Sequence, residues 1–187
     1  MKDFRYHNPI NEIPDNYYSN LFSYEEFIIK TNLFGFEVSD EVVLNSLYKV
    51  EKYYYIVING HLCFLDNKGN KAENVVIKGD FNCFALELIS LEGCPKEVGG
   101  NFRCSGNQLI SLKGCLKEVR GYFNCSDNQL TSLEGCPEKI GGSFNCSENQ
   151  LTSLEGCPEK VGGNFYCFYN SKKLSKPNRL KCKNFYN

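Results

Sequence analysis

The sequence predicts an α+β N-terminal module capping a short right-handed parallel solenoid. The first observation behind this is a recurrence every 21 residues: Gly100, Gly121, Gly142 and Gly163 keep that spacing, with Gly79 in phase. Phe81, Phe102, Phe123, Phe144 and Phe165 form a second column, and Cys83, Cys104, Cys125, Cys146 and Cys167 a third. A period of this length belongs to solenoids, in which one coil cannot bury its apolar residues alone and does so by stacking on the next. The second observation is that residues 1–75 carry no repeat but do carry helix-start and hairpin signals. The third is that the repeat text ends in an aromatic, basic tail. The expected division is 1–75, a non-repeating α+β capping module with a β-hairpin, and 76–187, a solenoid of 21-residue repeats with a C-terminal cap.

In the N-terminal part, residues 1–20 are mostly polar, contain Pro9 and Pro14, and read as loop. Ser23 suits the N-cap of a short helix through Lys30, with Glu25 and Glu26 in its first turn and Phe27, Ile28 and Ile29 on its apolar side. Ser39 suits the cap of a second helix, with Val43, Leu44, Leu47 and Tyr48 as its apolar face. The clearest local signal follows: Tyr53–Ile58, then Asn59-Gly60, then His61–Leu65. An Asn-Gly pair between apolar runs fits a two-residue hairpin turn. Residues 66–70 make a second turn, and 72–78 read as a strand entering the first coil. This part is open to two readings, a cap alone or a cap that also carries a binding surface.

The coils are expected at 79–99, 100–120, 121–141 and 142–162, with a degenerate closing turn from 163. Within one coil, Phe102 and Cys104 are two apart and share the inward face of a strand, which turns Asn101, Arg103 and Ser105 to solvent. Asn107 follows at a turn, in a column with Asn128, Asn149 and Asn170, where its amide can satisfy the backbone of its own coil and the next. Leu109 and Leu112 return at a spacing of three, as in a short irregular or 3₁₀ arc, and Val98, Val119, Ile140 and Val161 close the core before the next glycine. Leu174, Leu180 and Cys182 are candidates for covering the C-terminal end.

Eleven cysteines invite a disulfide or metal reading. From Cys83 to Cys167 they alternate at intervals of 11 and 10, and no close C-x(2–4)-C pair occurs among them. A zinc site needs four converging ligands, usually including such a pair. The reading that fits the phase is that each thiol replaces an apolar residue of a core ladder.

The text G-N-F-R-C-S-G-N-Q-L-I-S-L, residues 100–112, resembles a shortened leucine-rich repeat. Phe102 and Cys104 stand at two strand positions of that pattern, Asn107 at its asparagine and Leu109 at the following leucine; Gly99, at the first leucine position, departs from it. The wording S-L-E-G-C-P-E-K-V-G-G-x-F-x-C-S is also similar to repeats of phage and prophage proteins. The resemblance covers about residues 77–170 and implies a leucine-rich-repeat-like coil and a protein ligand. Its phage side implies an intracellular inhibitor of a host defence or regulatory protein, acting in the host cytoplasm.

Composition narrows the function classes. The formal net charge is -1, the sequence pI is about 6.2, and no apolar stretch is long enough for a membrane span. The N-terminal text has no apolar core of a secretory signal, so a cytoplasmic, reducing setting is expected. His7 and His61 are the only histidines, and repeated carboxylates such as Glu134 and Glu155 form an outward column with neither the asymmetry nor the cleft that acid–base pairs need. No P-loop, G-x-S-x-G or H-E-x-x-H text occurs. The expectation is a non-enzymatic protein-binding module with no catalytic residue, cofactor or metal. The candidate partner-binding residues are Arg103, Asn124, Asn145 and Tyr166 on the strand face, and Tyr54 in the hairpin. The bland reading is that Asn and Ser solvate a narrow sheet and the end aromatics belong to cap cores. The alternative function is a structural or self-assembling accessory protein, a homo-oligomer. Nucleic acid is the weaker third option, resting on Lys172, Lys173, Lys176, Arg179, Lys181 and Lys183.

Overall fold

A computed structural model describes residues 48–58, 60–66 and 71–187. The chain enters as three antiparallel strands, β1 (Tyr48–Val50), β2 (Tyr53–Ile58) and β3 (His61–Leu65), and Ile58 pairs with His61 across the Asn-Gly turn. Tyr48 therefore sits in a strand, paired with Tyr55, and not on the face of a helix. The cause is tertiary: its ring stacks at 5.1 Å on Tyr55, its partner across the paired strands. No helix occurs among the described residues; the two expected helices otherwise lie outside them, as do residues 67–70 of the second turn.

From Val76 the chain winds as a parallel solenoid with two short strands per coil. One set is β4 (Val76–Ile77), β6 (Glu97–Val98), β8 (Glu118–Val119), β10 (Lys139–Ile140) and β12 (Lys160–Val161), and it forms a five-stranded parallel sheet. The other is β5 (Phe81–Asn82), β7 (Phe102–Arg103), β9 (Phe123–Asn124), β11 (Phe144–Asn145), β13 (Phe165–Tyr166) and β14 (Phe185–Tyr186), forming a six-stranded parallel sheet. In the five-stranded sheet the second residue of each strand is buried and the first is exposed. The residues expected to close the core thus build a sheet of their own. Beyond the described 163 start, the tail does more than close a turn: Phe185 and Tyr186 pair with Phe165 and Tyr166 and add a further rung.

The core is the stack the period announces. Phe102, Phe123, Phe144 and Phe165 are fully buried, with ring centroids 5.0–5.6 Å apart along the column from Phe81 to Phe165. The column continues through the hairpin at one end, where Phe64 and Tyr55 meet Phe81, and through Phe185 at the other. Leu109, Leu112 and their equivalents fill the arc, and Leu174 and Leu180 are buried under the tail, with Cys182 packed against the same core. The hairpin is thus a lid on a naked solenoid end, which would otherwise expose both core and backbone. Its Glu51 carboxylate accepts from the N–H groups of Lys78 and Gly79, at 2.7 and 2.9 Å, and the Tyr55 hydroxyl donates to the Asn82 carbonyl at 3.0 Å.

Asparagine columns knit successive coils. The Asn107 amide donates to the carbonyls of Cys104 and Ser105 in its own coil and of Cys83 in the preceding one, while its Oδ1 accepts from Leu86 and Leu88 N–H. Asn128 and Asn149 repeat this arrangement. The reach is toward the preceding coil, where the sequence suggested the next. Among the described residues no buried side-chain nitrogen or oxygen lacks a partner.

Candidate functional site

Strand register decides which side chains share the outer face of the six-stranded sheet. The pairings Asn82–Arg103, Arg103–Asn124, Asn124–Asn145, Asn145–Tyr166 and Tyr166–Tyr186 bring the four strand-face candidates into one column. Their neighbours two residues on are not the solvated serines expected. Ser105 is 6% and Ser147 4% exposed. Both hydroxyls are used: Ser105 Oγ accepts from the Asn124 amide at 3.3 Å, and Ser147 Oγ from Phe168 N–H at 3.0 Å.

The asparagines of the column are also committed to the fold. Asn124 Oδ1 accepts from Ser126 N–H and Asn145 Oδ1 from Ser147 N–H, each at 3.0 Å, in Asx-type turns that end the strand. Arg103 is exposed, so its guanidinium is presented to solvent from the middle of this face. Tyr54 lies in β2 opposite Lys49 and Leu65, and its side chain is outside the described part of the structure.

Toward the C-terminal end the face becomes aromatic. Tyr166 stacks on Tyr186 at 5.1 Å with the rings 10° apart, and Phe168 lies 6.1 Å from Tyr166 and 6.3 Å from Tyr169. The Tyr166 hydroxyl accepts from the Asn164 amide at 2.8 Å. Tyr169 is 84% exposed. Tyr166, Phe168 and Tyr169 line a shallow cleft of about 260 Å³ together with Tyr122, Asn145, Ser147 and Glu148.

Tyr122 was not a sequence candidate, yet it carried a signal. Its position in the coil is otherwise polar: Asp80 takes the N–H of Asn101, Asn101 takes that of Tyr122, and Ser143 takes that of Asn164. Tyr122 breaks this capping series. Its phenol is hydrogen-bonded to the Asn145 side chain, and burial pushes its pKa up. A local rule broken in an otherwise consistent repeat marks a place to look for function. Tyr186, the other missed residue, lies in the non-repeating tail, where periodicity gives no guidance.

The eleven cysteines are free thiols. Burial holds the Cys104, Cys125 and Cys146 thiols well above the ordinary range, and Cys167 is pushed up to about 12. Such thiols stay protonated at neutral pH, which leaves little of the thiolate that acts as a nucleophile. Among the described residues no group of three or more His, Cys, Asp and Glu is arranged to hold a metal ion. His61 sits in β3 opposite Ile58, while His7 lies outside the described residues. Glu134 and Glu155 lie on the arc; Glu134 pairs with Lys113 at 3.2 Å in solvent. Among the described residues no helix is long and apolar enough to cross a membrane. Comparisons with protein-family models, curated proteins and solved structures find no match to this chain.

Proposed function

We propose that the chain is a non-enzymatic protein-binding module whose partner docks on the outer face of the six-stranded sheet. The observation that carries this reading is the aromatic cleft of Tyr122, Tyr166, Phe168 and Tyr169. Tyrosine rings supply large contact area at low entropic cost while keeping a polar tip, and they are common interface anchors. Arg103 in the same column adds a charged fork for carboxylate or carbonyl groups of the partner. The coil is read as a right-handed, leucine-rich-repeat-like one on the positions of Phe102, Cys104, Asn107 and Leu109. The phage-type text extends the proposal to an intracellular inhibitor of a host defence or regulatory protein. A stiff scaffold held by backbone ladders suits this role, since little ordering entropy remains to be lost on binding.

The test is capture of partner proteins by purified full-length chain, compared across variants. Tyr169→Ala and Arg103→Ala are expected to lose the captured protein while keeping the wild-type urea midpoint; Glu134→Ala is expected to keep both. If Tyr54→Ala abolishes capture and the strand-face variants do not, the hairpin is the effector and the solenoid its scaffold. Turnover of a substrate by purified protein would overturn the non-enzymatic reading.

A further inference from the structure

The outward residues of the five-stranded sheet carry a charge order that the fold does not require. Its strands begin Glu97, Glu118, Lys139 and Lys160, each exposed, with Glu118 in register with Lys139 and Lys139 with Lys160. The exposed residues just before them run in the opposite order: Lys96, Lys117, Glu138, Glu159. Both columns change sign at the same place, between the second and third coils. Within each block like charges are stacked one strand apart, and at about 4.8 Å such a pair repels by roughly 0.9 kcal/mol even in water. Alternating signs would remove that repulsion inside a single chain. Across the sign change Lys117 and Glu138 do meet, at 3.3 Å. Among the described residues Glu97, Glu118, Lys139 and Lys160 form no ion pair.

We propose that this face is an isologous dimer surface on which a second copy of the chain packs antiparallel. The two-fold axis runs along the strands, through the boundary between the second and third coils. It sets Glu97 opposite Lys160 of the second copy and Glu118 opposite its Lys139. In the neighbouring column it sets Lys96 opposite Glu159 and Lys117 opposite Glu138. These four rungs are complementary, because the block order read backwards is its own charge complement; the outermost rung sets Lys181, bridged to Lys160, opposite Val76 of the second copy. Most alternatives are penalised by the same charges. A two-fold axis along the solenoid over either column lays each residue against its own like; one between the columns would pair Lys with Glu within each coil but needs no sign change between coils. A slide by one coil puts Glu118 on Glu118 or Lys139 on Lys139 at the axis. Like-charge juxtaposition of this kind selects register and orientation.

A second copy fits better than a foreign polyion. A nucleic-acid backbone drawn to Lys139, Lys160, Arg179 and Lys181 would meet Glu138 and Glu159 in the same cleft and Glu97 and Glu118 beyond it. That cleft, of about 580 Å³, offers no aromatic ring for base stacking. The bipolar strip asks for a bipolar partner, and this chain has one. The net charge of -1 sets up little overall repulsion between copies. The strip is short, so the contact falls below the roughly 800 Å² per partner of a standard stable interface and its association is salt-dependent. The surface lies on a different sheet from the aromatic cleft, so the two proposals stand or fall separately.

The experiment is sedimentation equilibrium of the full-length chain at low and high salt, with two charge-block variants. One is Lys139→Glu/Lys160→Glu, the other Glu97→Lys/Glu118→Lys. All four residues are exposed, and unchanged urea midpoints would check that the fold survives. Wild type is expected to dimerise at low salt and dissociate at high salt. Each variant alone is expected to weaken self-association by about tenfold or more, and an equimolar mixture of the two to recover it as a mixed dimer. Wild type that stays monomeric at low salt and high concentration overturns the proposal. So does a dimer that ignores salt and both variants, or a mixture in which association does not return. If the single variant Lys139→Glu weakens self-association while Tyr166→Ala does not, the contact is assigned to this sheet and not to the aromatic face.

Discussion

At the scale of the residue, the asparagine column shows how one side chain serves two coils. Asn128 is 9% exposed, donates to the carbonyls of Cys104, Cys125 and Ser126 and accepts from Leu109 N–H. No apolar side chain replaces this, because each partner is a backbone group that remains in place when the amide is removed. Asn128→Ala is therefore expected to cost about 2–4 kcal/mol, the penalty for stranding a buried N–H and weakening several buried carbonyls. Urea unfolding measures it, and a loss under about 1 kcal/mol would mean that water enters to serve these groups. The sequence announced this column through its phase alone. It did not announce the direction of reach, because the offset between an asparagine and the carbonyls of the coil before it depends on how far each coil advances.

At the scale of the element, the turns carry as much of the architecture as the strands. Each strand of the solenoid is only two residues long, so the chain must reverse direction several times per coil. Gly135 sits at one such reversal with φ +84°, and a Cβ there would lie 2.6 Å from the backbone of Leu112 in the coil before. Ser132 supports the same corner by accepting from Glu134 N–H at 3.4 Å. Gly135→Ala combines left-handed backbone strain with a backbone clash that no rotamer relieves, and is expected to destabilise by about 1–3 kcal/mol or more. The checking measurement is the shift in urea midpoint relative to Glu134→Ala, an exposed neighbour. This element scale also shows where sequence reading stops. The Phe and Cys columns were legible because two inward residues per strand make an alternating pattern. The five-stranded sheet was not, because each of its strands contributes one buried residue, and Val119 alone is indistinguishable from an apolar residue in a loop. The aromatic cleft was half legible: Tyr166 was a strand-face candidate and the repeat visibly ended in aromatics, while Tyr122 was one polar-to-aromatic change within a column.

At the scale of the whole molecule, a core built on thiols makes stability depend on alkaline pH in a way that an aliphatic core does not. Cys83, Cys104, Cys125, Cys146 and Cys167 are 0% exposed and form one continuous column, and burial raises the pKa of every one above the ordinary value of 9.0. The sign follows from proton counting. Below pH 9 both folded and unfolded chains keep these thiols protonated, so the stability is fully present. Above it the unfolded chain releases protons that the folded chain still holds, and stability falls until the folded thiols themselves ionise. Above the unfolded value each buried thiol favours the unfolded state by an amount that grows with pH, and all of them act in the same direction. The reduced protein is thus expected to hold nearly constant stability from neutral pH to about pH 8, and to unfold cooperatively over roughly the next two units. Urea midpoints measured across that range in the presence of reductant test this. Cys104→Val with Cys125→Val, which keeps an apolar side chain of similar size in the ladder, is expected to flatten the slope without abolishing it, because Cys63, Cys94, Cys115, Cys136 and Cys157 are also raised by burial. A slope unchanged by that pair would move the alkaline sensitivity out of this pair, to the second cysteine column of Cys94, Cys115 and Cys136 or to Tyr55, all raised by burial.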